Sequence, residues 1–259
     1  MPDLPGFTLA ARLRAGGTVF TGWCGLGLPL VAETLAREGF SAVTLDQQHG
    51  AYDVAASAQA IASVRHAGAS PVVRVPLGDF ATAARMLDLG AEGIIAPMIN
   101  TVADARAFVA ATKFPPLGER SWGPTRATML TGMDQHVYLR EANALTVTFA
   151  MIETRQALEN VEAIAAVPGI DALFVGPSDL SIALTGGRTQ DPHSAEVETT
   201  LELILAAAKK AGKVPGLYCA NADRALATAR RGFRFLAIGS DLGMLRAGVA
   251  EQVRKLSGD

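Results

Sequence analysis

Cysteine is scarce in this chain: Cys24 and Cys219 are the only two in 259 residues. That excludes a disulfide scaffold and favours a reducing compartment, so a cytoplasmic protein is expected. Lysine is scarce as well, with Lys113, Lys209, Lys210, Lys213 and Lys255 the whole set. No apolar run reaches the roughly 18 residues of a membrane span. Met1–Phe7 has neither the basic start nor the apolar stretch of a secretion signal. The net charge is −2 and there is no basic stripe, so nucleic acid is not an expected partner. Disorder is excluded too, because 49% of residues are hydrophobic and only 19% charged.

What is present is alternation. Short apolar or β-branched runs occur at 18–23, 42–46, 71–75, 93–97, 146–153, 172–176, 214–219 and 235–239. Each reads as a buried parallel strand. Ala-rich amphipathic stretches lie between them at 30–38, 54–67, 81–89, 102–112, 158–166, 197–211, 222–231 and 242–256, several stopped by a glycine such as Gly90 or Gly232. Eight β/α units in one domain predict a (β/α)8 TIM barrel. An open doubly wound sheet is the alternative, but no Gly-x-Gly-x-x-Gly turn follows the first strand. One connection is out of pattern: residues 113–145 hold no strand, and a helix-like part at 134–143 is expected to cover the barrel mouth or to contact a second subunit.

In a barrel the C-terminal ends of the strands face the active site. Those ends carry Trp23, Asp46 with His49 three residues on, Arg74, Glu153, Asp179, Tyr218 and Asp241. Glu153 and Asp179 follow successive strands, which makes an oxygen-rich site for a divalent cation. Arg74 sits in an apolar strand, so it is either a structural ion pair or a clamp for a carboxylate or oxyanion. Asp46 beside His49 would orient an imidazole base. No lysine stands at the C-terminal end of a strand, so Schiff-base chemistry lacks its nucleophile and carbonyl chemistry would be metal-assisted. No zinc-finger spacing and no P-loop occurs, although Gly239-Ser240 leaves room for a phosphate. The cysteines read as small buried apolar residues.

Several segments in order resemble the HpcH/HpaI family of metal-dependent pyruvate aldolases: Gly22-Trp23, Leu45-Asp-Gln-Gln-His-Gly50, Pro71-Val-Val-Arg74, Met86-Leu-Asp-Leu-Gly-Ala91, Ala96-Pro-Met98, Gly118-Glu-Arg-Ser121, Ile152-Glu-Thr154 and Phe174 to Ser181. The resemblance implies cleavage of a 4-hydroxy-2-oxo acid to pyruvate and an aldehyde. It implies Glu153 and Asp179 as ligands of Mg²⁺, Mn²⁺ or Co²⁺, His49 as base and Arg74 as enolate stabiliser. Gly176, Pro177 and Ser178 would hold the substrate carboxylate, and Trp23 would wall the pocket. It further implies Asp88 as a residue tuning the histidine, so Asp46 and Asp88 are alternative partners of His49. A hexamer built from dimers is implied, with an exchanged C-terminal helix. Two positions depart from the family pattern: Gln48 stands where Glu often precedes the histidine, and Met151 where Gln is common. The alternatives are a lyase acting on an acyl-CoA thioester and a catalytically silent barrel used for binding.

Overall fold

A computed structural model describes residues 6–257. The first five residues of the N-terminal stretch, which reads as lacking a secretion signal, lie outside the described range. Eight parallel strands close into a barrel in sequence order: β1 (Val19–Cys24), β2 (Ala42–Asp46), β3 (Ser70–Arg74), β4 (Gly93–Ala96), β5 (Val147–Ile152), β6 (Ala172–Val175), β7 (Val214–Cys219) and β8 (Phe235–Ile238), with β8 pairing back on β1. The open-sheet alternative is thereby excluded. The outer layer is α2 (Pro29–Arg37), α3 (Val54–His66), α4 (Phe80–Asp88), α5 (Val102–Thr112), α8 (Arg155–Glu159) with α9 (Val161–Ala165), α11 (Ala195–Lys210), α12 (Ala222–Arg231) and α13 (Asp241–Ser257). Two cores result. One lies between strands and helices, the other inside the barrel, where Phe149, Phe174 and Phe235 pack together.

Three helices were not legible in the periodicity. α1 (Leu9–Arg14) plugs the N-terminal end of the barrel with Leu9, Ala10 and Leu13. Buried Glu92 anchors it, accepting the Thr8 and Leu9 amides at 2.8 Å each and pairing with Arg65 at 2.7 Å. α6 (Thr125–Thr131) sits in the long excursion. α10 (Pro177–Thr185) starts directly after β6, with Pro177 in the first helical turn, where its missing N–H costs nothing.

The excursion does not cover the mouth. Its helix α7 (Gln135–Leu145) buries Tyr138 and Ala142 against Phe7 and Phe114, and it ends at the start of β5, on the N-terminal side. Lys113 reinforces this placement: its ammonium donates to the Thr146 carbonyl (2.8 Å) and pairs with Asp171 (2.7 Å), residues that precede β5 and β6. The catalytic end of the barrel is therefore left to the short loops after the strands.

α13 is built differently from the other outer helices. Asp241 is its one buried residue. Leu242, Leu245, Val249, Val253 and Leu256 form a stripe along it and are all exposed. No helix among the described residues is long and apolar enough to cross a membrane.

Candidate active site

A cavity of about 410 Å³ opens at the C-terminal end of the barrel. Trp23, Asp46, His49, Arg74, Gly176, Pro177, Ser178 and Asp179 line it, together with Met151, Phe174, Tyr218 and Asp241.

Asp46 and Arg74 end adjacent strands and face each other in register. Arg74 donates from Nε to Asp46 Oδ1 (2.9 Å) and from Nη2 to Oδ2 (2.6 Å), a bidentate pair. The Trp23 indole N–H donates to Asp46 Oδ2 (3.2 Å), and the guanidinium lies 4.8 Å from the Trp23 ring centre. Burial would push the Asp46 carboxyl up, but the hydrogen bonds and charge of Arg74, with the His49 amide and the indole, hold it below its usual value. The ion pair read as one alternative for Arg74 is thus formed. Because Arg74 also lines the cavity, the pair fixes its orientation there.

The expected contact between Asp46 and the His49 ring is not made. Asp46 Oδ1 instead accepts the backbone N–H of Gln48 (3.0 Å) and of His49 (3.2 Å), and so shapes the loop that carries the ring. Asp88 is not at the site either. It ends α4 and pairs with Arg120 at 2.6 Å, so within one chain it does not approach the cavity. His49 itself is exposed at the mouth.

Glu153 follows β5 and is 2% exposed. Its Oε1 accepts the Met98 N–H (2.9 Å) from a residue with φ 52°, the one positive-φ non-glycine among the described residues. Its Oε2 is buried with no hydrogen-bond partner. Burial pushes this carboxyl up to about 7; the Met98 amide and Arg74 oppose the rise and the charge of Asp179 adds to it. Asp179 lies in the first turn of α10, where the helix dipole favours an anion. A Cβ on Gly176 would collide with Glu153 Oε2 and approach the Met151 methyl within 2.8 Å, so a side chain there would fill the space in front of the orphan oxygen. A buried acceptor without a donor, facing a second carboxylate, fits a hard divalent cation. Among the described residues no group of three His, Cys, Asp or Glu side chains forms a complete cage, so the remaining ligands would be oxygens of substrate and water.

The other walls are apolar. Trp23 stacks on Phe174 (6.1 Å, 10°) and meets Tyr218 edge-on (5.4 Å), whose hydroxyl donates to the Gly239 carbonyl (2.9 Å). Tyr218, Asp241 and Met98 had no role in the sequence reading. Position at the ends of β7 and β8 was the available signal for the first two, and for Met98 it was the Ala96-Pro-Met98 segment of the resemblance, which carried no role for its backbone. Asp241 also bears on the phosphate considered at Gly239-Ser240, since its carboxylate occupies that end of the cavity and opposes an anion. No lysine lines the cavity. Neither cysteine lines it; both are buried, and burial raises the thiol of each.

Comparison with known proteins agrees with this fold. Residues 21–247 match the model of the HpcH/HpaI aldolase/citrate lyase family, and the chain belongs to that family. It is 39% identical to a hydroxypyruvate/pyruvate aldolase of Rhizorhabdus wittichii over 92% of this chain and 93% of the relative. It is 34% identical to a 5-keto-4-deoxy-D-glucarate aldolase of Klebsiella pneumoniae over 87% of each. The crystal structure of an HpcH/HpaI aldolase from Desulfitobacterium hafniense superposes with a TM-score of 0.88 at 31% identity, covering 96% of both chains. The protein is an aldolase-type lyase.

Proposed function

We propose that the protein cleaves a 4-hydroxy-2-oxo acid reversibly to pyruvate and an aldehyde. The observation that carries this reading is the buried, unpartnered Oε2 of Glu153, which lies behind the cavity-lining Gly176 and Met151 and feels the charge of Asp179. Glu153 and Asp179 would hold a divalent cation (Mg²⁺, Mn²⁺ or Co²⁺), which when bound supplies Lewis acidity toward the oxygens of the 2-oxo acid.

The chain's own groups then divide the work. The start of α10, capped by Gly176 with Pro177 in its first position, leaves the N–H groups of Ser178 and Asp179 ahead of the first intrahelical bond, and these suit the substrate carboxylate. Arg74, locked by Asp46 and Trp23, presents a fixed cation where negative charge develops on the keto oxygen. His49 takes the proton of the 4-hydroxyl as the C3–C4 bond breaks, and the bond pair passes into the enolate. Trp23, Phe174 and Tyr218 shield the enolate carbon, which receives the proton that His49 took, giving pyruvate and returning the base to its starting state.

Pyruvate release from 4-hydroxy-2-oxoheptanedioate tests this. Turnover is expected to vanish with EDTA and return on adding Mg²⁺ or Mn²⁺; undiminished turnover by verified metal-free protein would sink the metal role. The acyl-CoA alternative draws no support from the cavity, where Arg74 is the only Arg or Lys side chain to meet nucleotide phosphates. A homo-oligomer belongs to the same proposal. The exposed apolar stripe of α13 is the surface that a second copy of the chain would cover, and Asp88 would reach a site only across such an interface. Two buried, unpaired cysteines suit a cytoplasmic location.

A further inference from the structure

Asp241 is the first residue of α13, yet its carboxylate is spent on a different part of the chain. Its oxygens accept the backbone N–H of Gly25 (3.0 Å) and of Leu26 (2.9 Å), and the Cys24 thiol donates to it (3.1 Å). The donors are the last residue of β1 and the start of the loop between β1 and α2. The side chain is 4% exposed, and with three donors from another segment it is a buried anion that is fully met.

That loop is in turn pressed against the loop of His49. The Ala51 N–H donates to the Gly25 carbonyl (2.8 Å). Gly50, next to His49, has no room for a side chain, because a Cβ would collide with the Asp46 carbonyl oxygen and lie 2.8 Å from the Gly25 carbonyl oxygen and 2.9 Å from its Cα. A Cβ on Gly27 would lie 2.6 Å from the Ala51 carbonyl oxygen. The two loops touch backbone to backbone, so a shift of Gly25 and Leu26 is passed to Gly50 and Ala51 with little slack. Asp46 fixes the other side of the same loop through the Gln48 and His49 amides. His49 thus rides on a loop held at one end by Asp46 and at the other by Asp241.

We propose that Asp241 is a positioning residue for His49, acting through Gly25, Leu26 and Gly50. The inference rests on the reading of His49 as the base. It separates Asp241 from the metal side of the cavity, because Glu153, Asp179 and Gly176 are placed by β5, β6 and α10 and make no bond to this network.

The test is steady-state retro-aldol kinetics and Mn²⁺ titration on Asp241→Ala, Asp241→Asn and His49→Ala, with folding checked by thermal melts. For Asp241→Ala, kcat is expected to fall about 10²-fold, the effect of displacing a catalytic group by about 1 Å. KM and Mn²⁺ affinity are expected to stay within about two-fold, since uniform binding is untouched. Asp241→Asn keeps an isosteric acceptor for one amide and is expected to recover part of the rate. Gly27→Ala, which parts the same loops at the Ala51 carbonyl without altering Asp241 or pressing on Asp46, should show the same split, and it decides the matter if Asp241→Ala does not fold. Wild-type turnover in Asp241→Ala or Gly27→Ala beside an inactive His49→Ala overturns the positioning role alone. So does a loss of kcat accompanied by an equal loss of Mn²⁺ affinity. Normal turnover by His49→Ala overturns the base assignment, and the positioning role with it.

Discussion

Arg74 and Asp46 stand opposite each other at the last rung of β2 and β3 and share two hydrogen bonds, of 2.9 and 2.6 Å. Both side chains are almost wholly buried, at 10% and 6% exposure. A charge so placed is stable only with its partner, and the pair is worth keeping here because one member faces the substrate. Arg74→Lys is expected to fold but to lose at least about ten-fold in kcat, since an ammonium cannot reproduce the bidentate fork. Arg74→Ala leaves Asp46 buried and unpaired, which costs about 3–5 kcal/mol and removes pyruvate proton exchange. Urea denaturation and exchange monitored by NMR check the two halves; retained exchange would reduce Arg74 to a structural role.

The same pair sets an acid limit. The folded Asp46 carboxyl titrates below 3.8, its ordinary value. Its stabilising contribution is therefore complete above 3.8 and is lost as pH falls through the lower folded value. Asp46→Asn is expected to be less stable than wild type at neutral pH, with the gap narrowing once the pH drops below 3.8. A constant gap in urea midpoints from neutral pH down into that range would mean Arg74 does not hold the Asp46 charge.

Gly176 leaves the space before Glu153 open. Gly176→Ala is expected to weaken Mn²⁺ binding about 10–100-fold, as disturbed ligand surroundings do, while far-UV circular dichroism stays unchanged. Calorimetric titration reads the affinity. Unaltered binding would place the cation elsewhere.

Met151 has no hydrogen to donate, and its methyl lies beside the same space as Glu153 Oε2. Met151→Gln would offer that oxygen a donor of similar volume. Mn²⁺ affinity is expected to change by up to about ten-fold and to become less sensitive to mild acid, because a donated hydrogen bond favours the ionised carboxylate. Titrations at two pH values decide it, and identical curves for both proteins would show that position 151 does not act on Glu153.

Leu245→Ser with Val249→Ser breaks the middle of the α13 stripe, where the side chains are 57% and 53% exposed in the single chain. Light scattering is expected to show a smaller assembly than wild type. No change of mass would remove α13 from the interface.

The barrel was legible because each strand is a short apolar run buried on both faces; the bounds of β2 and β7 fall where the residues suggest. Helix α10 was hidden because Gly176-Pro-Ser-Asp179 reads as a loop, although proline and acid belong equally to a helix start. The direction of the excursion depended on Phe7, a residue more than a hundred positions away from Tyr138, its partner at 6.0 Å. The spacing of Asp46 and His49 was misleading for a local reason: at two and three residues' distance a carboxylate caps backbone amides more readily than it reaches a ring. Glu153 and Asp179 were visible as strand-end acids, but the missing donor at Oε2 exists only once β5, β6 and the Met98 turn are packed.

Helix α13 touches the barrel core with Asp241 and leaves its apolar stripe to be covered from outside. Under the proposal that a second copy covers this stripe, the enzyme would carry a concentration gauge. Covering the stripe would steady the anchor at its root, and on dilution specific activity should fall before any of the barrel unfolds.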